Sequence, residues 1–203
     1  MNVKMFFAGF VFFFLFTTSS FGQSGTYRVD TEKSVLSWEG HRFFGGKHTG
    51  AIDLHSGTMQ VSDGKLSGGT FAIDMNSIKV TDIQGDPAQR LAAHLKTEDF
   101  FDAANHPQAT FQLKYIDYAD EKRAAVVGDI TIRGITQEIS FPAEVRIEGN
   151  QLRAAAQGIR VDRTVHDSQY GSVRFFRDLG RKIVHDEFVL NVELVAEAVS
   201  GNE

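Results

Sequence analysis

The stretch VVGDITIRGITQEISFPAEV, residues 126–145, carries the pattern that decides the fold. Gly128, Ile130 and Ile132 alternate with polar residues, and a similar alternation returns after the dipeptide Arg133-Gly134. A period of two places successive side chains on opposite faces of a β-strand. A short turn that ends in glycine is typical of the connection between two paired strands. We therefore predict two strands here, each with one apolar and one polar face.

The same alternation extends over most of the chain on both sides of this stretch. Apolar residues recur with period two at Leu36/Trp38, Phe71/Ile73/Met75, Phe111/Leu113/Tyr115, Ile139/Phe141/Ala143/Val145/Ile147 and Phe188/Leu190/Val192/Leu194. Turn signals separate these runs, for example Ser62-Asp63-Gly64 and Glu148-Gly149-Asn150. Pro142 lies inside one run and predicts an edge position or a bulge there. Many short antiparallel strands at this spacing predict an all-β sandwich or barrel.

One segment, Asp86–Lys96, departs from period two and predicts an amphipathic helix. Asp86 is the expected N-cap and Pro87 the expected first helical residue. The apolar face of this helix would be formed by Ala88, Leu91, Ala92 and Leu95. Because one helix cannot cover a sheet, we expect it to plug or lid one end of a barrel, with Leu91 and Leu95 packed against it.

The N-terminal segment, residues 1–22, is typical of a secretory signal peptide. One basic residue, Lys4, precedes an apolar run from Met5 to Phe16, and the small residues Ser20 and Gly22 follow. The run is too short for a membrane-spanning helix, which needs roughly 20 residues. We therefore predict a cleaved signal peptide, a mature domain of residues 23–203, and a periplasmic or secreted protein that is not integral to a membrane.

Composition and missing motifs argue against several classes of function. The formal net charge is −5, whereas nucleic-acid binding needs a basic surface. The chain has no cysteine, which excludes disulfides, thiolate metal sites and cysteine nucleophiles. Its seven histidines show no metal-binding spacing, and no nucleophile motif such as Gly-x-Ser-x-Gly occurs. We predict a protein that is not an enzyme, with no catalytic residue, no metal, no cofactor and no nucleic-acid partner.

Two local clusters bear on ligand binding. The small residues 154–158, AAAQG, leave room inside a barrel, although a tapering barrel also uses small residues. The rings of Phe175 and Phe176 stand between Arg174 and Arg177, and either form a lid at a pocket mouth or pin a long loop.

Several blocks resemble the YceI-like family. They are YRVDTEKSVLSWEG near the start of the mature chain, GGTFAIDMNSI, HLKTEDFFDAANHPQATF at residues 94–111, the opening stretch 126–145, and the last strand at residues 186–196. Together they cover residues 26–198 in family order. The resemblance implies a lipocalin-like antiparallel β-barrel in a periplasmic or secreted protein. It also implies that the long apolar interior binds polyisoprenoid lipids, and it carries over no catalytic residue.

The resulting hypothesis is an exported protein that sequesters or carries an isoprenoid lipid, of polyprenyl or quinone type, inside the barrel. The residues predicted to contact the lipid are Trp38, Phe71, Ile73, Phe111, Leu113, Ile130, Ile132, Phe141, Ala156, Phe175, Phe176, Leu190 and Val192. A headgroup would lie near Arg42, Arg163, Tyr170 or Arg174. Two alternatives remain open at this point. One is a structural or stress-response interaction module with a filled barrel, and the other is a hydrolase or isomerase acting on a bound lipid. Whether the protein acts alone or as a homodimer is also open.

Overall fold

The computed structural model describes residues 24–199, so the predicted signal peptide lies outside the described residues. Within them the chain forms nine strands, one α-helix and two 3-10 turns. In chain order these are β1 Gly25–Val29, β2 Val35–Arg42, β3 Lys47–Ser62, β4 Lys65–Val80, α1 Asp86–Leu95, β5 Gln108–Tyr118, β6 Arg123–Ile132, β7 Ile135–Glu148, β8 Gln151–Asp162, the 3-10 turns Arg163–His166 and Gly180–Lys182, and β9 Val184–Ala198. No helix within residues 24–199 is long and apolar enough to span a membrane.

The strands close into an antiparallel barrel with eight positions around its wall. From β3 the order runs through β2, β9, β8, β7, β6 and β5 to β4, and β4 pairs back onto β3. The short β1 also lies between β3 and β9, next to one end of β2. Because β1 and β2 pair with the same two neighbours, they act as one interrupted strand. The predicted all-β, lipocalin-like barrel with one helix is confirmed.

Tight turns connect the strands where the sequence predicted them. Ile132 pairs with Ile135 across Arg133 and Gly134, whose φ angles are +52° and +73°. Positive φ at both central residues is the geometry of a type I′ hairpin turn, which matches the twist of the flanking strands. The turn therefore fixes the register of β6 and β7, and with it which side chains face the interior.

The longest strands contain irregularities that the sequence pattern did not predict. Strand β3 was missing from the predicted set because a register shift between Leu54 and Ser56 moves its inward positions from even to odd residue numbers. The buried residues are accordingly Ile52 and Leu54 before the shift, and Met59 and Val61 after it. A similar shift in β5 places Tyr115 on the outside, so its predicted alternation with Leu113 is wrong.

Helix α1 lies at one end of the barrel, which we call the helix end. It spans Asp86–Leu95, so the predicted helix is confirmed, but its N-cap is Gly85 and Asp86 is already helical. The prediction of Asp86 as N-cap is therefore wrong. No residue of α1 is fully buried; Leu91 and Leu95 are half-buried, and Leu95 packs against the core. The helix therefore covers the barrel end with one partly buried face.

One seam of the wall is only partly hydrogen-bonded. Strands β7 and β8 pair from Glu144↔Ala155 to Glu148↔Gln151, and no pairing of residues 135–143 with β8 is present within the described chain. Pro142 lies in this unpaired stretch, as its position in the sequence predicted. Because Val145 donates its amide to the Lys122 carbonyl, the strand period turns the Pro142 nitrogen toward β8, where no amide hydrogen is required. We call this unpaired seam the side window.

Candidate functional site

The barrel interior contains two apolar cavities that lie end to end. The helix-end cavity and the deep cavity each measure about 110 Å³. Both are lined by Ile73, Ile130 and Leu190, which come from three different strands. These shared residues place one continuous apolar path along the barrel axis. A path with carbon walls can hold an elongated apolar molecule and offers it few hydrogen bonds.

All eleven predicted strand positions border one of these cavities. Trp38, Ile73, Ile130, Ile132 and Leu190 line the helix-end cavity. Phe71, Ile73, Phe111, Leu113, Ile130, Phe141, Ala156, Leu190 and Val192 line the deep cavity. Whether they contact a ligand stays a prediction.

Small residues provide part of the space in the deep cavity. Ala154 and Ala156 face the interior from β8, while Ala155 between them is exposed. The pairing agrees with this, because Ala155 is opposite the exposed Glu144 and Ala154 is opposite the buried Val145. Leu or Phe at positions 154 and 156 would fill this space, whereas alanine leaves it open beside the aromatic rings of β5 and β7.

Several lining residues were missed from the sequence. Phe100 and Phe101 follow α1 and line the helix-end cavity. Leu54 and Met59 line the deep cavity from β3. The β3 residues carry a period-two signal on each side of the shift, so a pattern search that allowed one bulge would have found them. The Phe pair lies in a loop, where no periodicity points to the interior.

Besides Glu187, Arg163 is a charged residue that lines the helix-end cavity. Its side chain is 3% exposed, and it donates hydrogen bonds to the carbonyls of Ser168, Val184 and His185. Its guanidinium lies 5.6 Å from the centre of the Phe100 ring. Burial lowers the pKa of Arg163 from its ordinary value, while the carboxylates of Asp186 and Asp162 oppose that shift. Arg163 thus fixes the loop after β8 onto the start of β9; contact with a headgroup stays a prediction.

A third cavity, of about 250 Å³, connects this region with the surface; we call it the mouth cleft. It shares Trp38, Gly40, His41, Leu95, Phe100 and Val184 with the helix-end cavity. Arg42, Tyr170 and Lys182 also border it. Two of the predicted headgroup residues, Arg42 and Tyr170, therefore lie at this opening.

Trp38 lines both the helix-end cavity and the mouth cleft, and it places a polar atom there. Its indole Nε1 is buried and has no hydrogen-bond partner among the described residues. The ring packs over Gly50, where a Cβ would lie 2.3 Å from Trp38 Cζ2. Glycine at position 50 is therefore required for the ring to lie where it does, beside the cavity.

Three predicted positions lie elsewhere. The rings of Phe175 and Phe176 are about half exposed and line neither interior cavity nor the mouth cleft, and their contact with a lipid stays a prediction. Arg174 also lies outside these linings, because it bonds Asp162 and Thr164. In residues 24–199, no group of three or more metal-binding side chains is close enough to hold an ion.

The matching family model is that of the YceI-like domain, and it covers residues 27–196. The chain belongs to the YceI-like family. A UPF0312 protein of Pseudomonas putida is 29% identical over 129 residues, which cover 61% of this chain and 63% of that protein. The chain thus spans less than two thirds of that relative's length. A UPF0312 protein of Pseudomonas fluorescens is 28% identical over 149 residues, 71% of this chain and 75% of that protein.

Solved structures share the YceI-like fold at low identity. BcnA of Burkholderia cenocepacia superposes with a TM-score of 0.66 at 24% identity, covering 82% of this chain and 98% of that one. A polyisoprenoid-binding domain from Saccharophagus degradans, implicated in plant cell wall breakdown, gives 0.64 at 16% identity, with coverages of 85% and 98%. At these identities the likeness shows the fold alone.

Proposed function

We propose that this YceI-like protein binds one elongated isoprenoid lipid inside the barrel and carries or sequesters it. The observation that carries the proposal is the end-to-end pair of apolar cavities joined at Ile73, Ile130 and Leu190. The polyisoprenoid-binding domain of Saccharophagus degradans, which has the same fold, supports the class of ligand. We assign the protein no catalytic step, since the walls of both cavities are almost entirely apolar.

Burial of the hydrocarbon chain would drive binding. Each buried CH₂ contributes about 0.8 kcal/mol, so ten such groups contribute about 8 kcal/mol. Association costs about 4–15 kcal/mol in lost freedom of motion, so a chain of several isoprene units is needed for tight binding. Short isoprenoids would accordingly bind weakly, and affinity would rise with chain length until the path is full.

The polar end of the lipid would lie at the mouth cleft. Arg42 and Tyr170 border the cleft, and Trp38 lies between the cleft and the apolar path with its indole N–H unpaired in the described part of the chain. A quinone or phosphate oxygen there could accept a hydrogen bond from Trp38 or Arg42. This orientation keeps the headgroup hydrated and the tail buried, which avoids the cost of burying an unpaired polar group.

The direct test is to purify the protein from its native cells, extract it with organic solvent and identify the lipid by mass spectrometry. A stoichiometric isoprenoid supports the proposal. A well-folded protein that is empty after purification, and that binds no added polyprenol, would contradict it and favour the interaction module.

Ala156→Phe tests where the lipid lies. The new ring would fill the deep cavity beside Ala154, so polyprenol affinity should fall at least tenfold, about 1.4 kcal/mol. The folded state should lose no more than the ~1–3 kcal/mol typical of overpacking. Gln157→Phe is the matched control, because Gln157 is exposed one residue away on the same strand and does not line the deep cavity. If both variants fold and bind polyprenol with equal affinity, the lipid does not lie in the deep cavity.

A further inference from the structure

We propose that the rim of the barrel at the helix end docks on an anionic phospholipid surface. The rim consists of two segments, residues 42–47 from the last residue of β2 to the first of β3 and residues 170–182 before β9, which we call the rim loops. The proposal rests on the exposed side chains of these loops. It does not depend on what the interior binds.

The rim loops form one surface because both are anchored to the start of β9. Phe43 donates its amide to the Ile183 carbonyl at 3.1 Å, and Val184 donates its amide to the Gly171 carbonyl at 2.9 Å. The Phe43 ring stacks on His185, with ring centres 6.0 Å apart. The two loops therefore present their side chains side by side.

The rim loops expose large apolar side chains that a folded domain normally covers. Phe43 is 61% exposed, Phe44 52%, Val173 62%, Phe175 45% and Phe176 47%. Every exposed phenylalanine within residues 24–199 lies in these two loops. An exposed apolar patch of this kind marks a contact surface, and phenylalanine is one of the side chains that proteins bury at the boundary of headgroups and acyl chains.

The charge of the rim loops indicates which surface they fit. They contain six basic residues and one acidic residue, although the whole chain has a net charge of −5. Arg42, Arg177 and Lys182 have no ion-pair partner among the described residues, whereas Lys47 pairs with Glu39. Unpaired cations beside apolar rings are complementary to anionic lipid headgroups above hydrocarbon.

The rim also borders the mouth cleft, because Arg42, Tyr170 and Lys182 belong to both. A protein docked by the rim would thus present the opening of its apolar path to the membrane. An apolar molecule could then pass between membrane and barrel without crossing water. A docking surface on the barrel wall would not bring this opening to the membrane.

The experiment is vesicle flotation of the protein without its signal peptide. The vesicles are pure phosphatidylcholine, or phosphatidylcholine mixed with equal phosphatidylglycerol, both free of isoprenoid. We expect about tenfold stronger binding to the mixed vesicles, weakened by added salt. The paired changes Phe43→Ser with Phe44→Ser, and Phe175→Ser with Phe176→Ser, should each reduce binding several-fold. Tyr115→Ser, at an equally exposed ring on β5, is the control and should bind like the wild type.

Three results would overturn the proposal. They are no flotation of the wild type with mixed vesicles at low salt, flotation of the phenylalanine variants equal to that of the wild type, and a loss of binding in Tyr115→Ser as large as in the phenylalanine variants. A fourth is self-association that the same variants abolish in the absence of vesicles, which would make the rim a contact between two copies. Because the vesicles contain no isoprenoid, failure here leaves the lipid-binding proposal standing. Conversely, a protein that binds no isoprenoid but still floats with the mixed vesicles would support membrane docking while the lipid-binding proposal fails.

Discussion

At the scale of single residues, His166 couples the fold to pH. It is 1% exposed, and its Nδ1 lies 2.9 Å from the Ile135 carbonyl, which it contacts as a neutral donor. Burial lowers the pKa of His166 below its ordinary value of 6.5. The folded protein thus holds the ring neutral while the unfolded chain protonates it, so the unfolded state binds more protons in mild acid and stability falls as pH drops.

We expect the free energy of unfolding to decrease from about pH 7 to pH 5, and His166→Gln to show a shallower decrease. Urea melts at a series of pH values measure both slopes. His55→Gln is the control, because His55 is exposed on β3. Parallel slopes for the wild type and His166→Gln would show that the ring is protonated without unfolding.

The contrast between Leu190 and Phe175 shows which residues could be predicted from sequence. Leu190 lies on a strand, where period two alone assigns its face, and it lines both cavities. Phe175 lies in a loop, where no period applies and exposure depends on how the loop packs. Arg163 could be predicted to lie near the mouth. Its three bonds to carbonyls could not, because they depend on the meeting of β9 with a distant loop.

At the scale of elements, α1 depends on the barrel for its stability. It has 10 residues, and an isolated helix of that length is marginal in water. Leu95 lines the helix-end cavity, so Leu95→Asp places a carboxylate against apolar wall and should destabilise the fold by about 1–3 kcal/mol. Gln89→Asp, exposed in the first turn of the same helix, should change stability by less than ~0.5 kcal/mol. Equal effects in denaturant melts would mean that Leu95 makes no packing contact.

The side window predicts an exchange pattern within β7. Val145 donates its amide to the Lys122 carbonyl, and successive amides along a strand point alternately to its two sides. The Phe141 amide therefore points toward β6, whereas the Glu138 and Ser140 amides point toward β8, where no pairing is present in the described chain. We expect Glu138 and Ser140 to exchange their amide hydrogens at least about tenfold faster than Phe141 in hydrogen-exchange NMR. Equal protection would mean that β7 and β8 pair along their whole length in solution.

Element prediction from sequence failed for β3, which changes register near its middle. Strands β2, β4, β5, β6, β7 and β9 keep enough alternation to be recognised, and glycine marks the turns between β3 and β4, β6 and β7, and β7 and β8. Strand β3 was missed because the shift after Leu54 divides one long strand into two short patterns. A bulge of this kind bends a strand, and a barrel needs such bends to close. The same bulge interrupts the period-two pattern by which the strand would be recognised.

At the scale of the whole molecule, alternation predicts antiparallel strands, the family resemblance predicts the closed barrel, and the small residues 154–158 predict room inside it, but the volume of that room could not be predicted. Alternation and turn spacing determine that strands follow one another, and the helix marks one end. The volume left inside depends on how eight inward faces meet. Ala154 and Ala156 line the deep cavity together with Phe111 of β5 and Phe141 of β7. That outcome is set by contacts between residues far apart in sequence, which no local pattern contains.

The remaining question at this scale is where the molecule works, and the expectation rests on residues 1–22. We expect expression of the full chain in a bacterial host to give a product that begins within a few residues of Gln23 and is released with the periplasm. N-terminal sequencing measures this. Lys4→Glu is the informative variant, because it removes the single charge before the apolar run and should slow processing. Material in the membrane fraction that retains residues 1–16 would instead mean that the segment is an anchor.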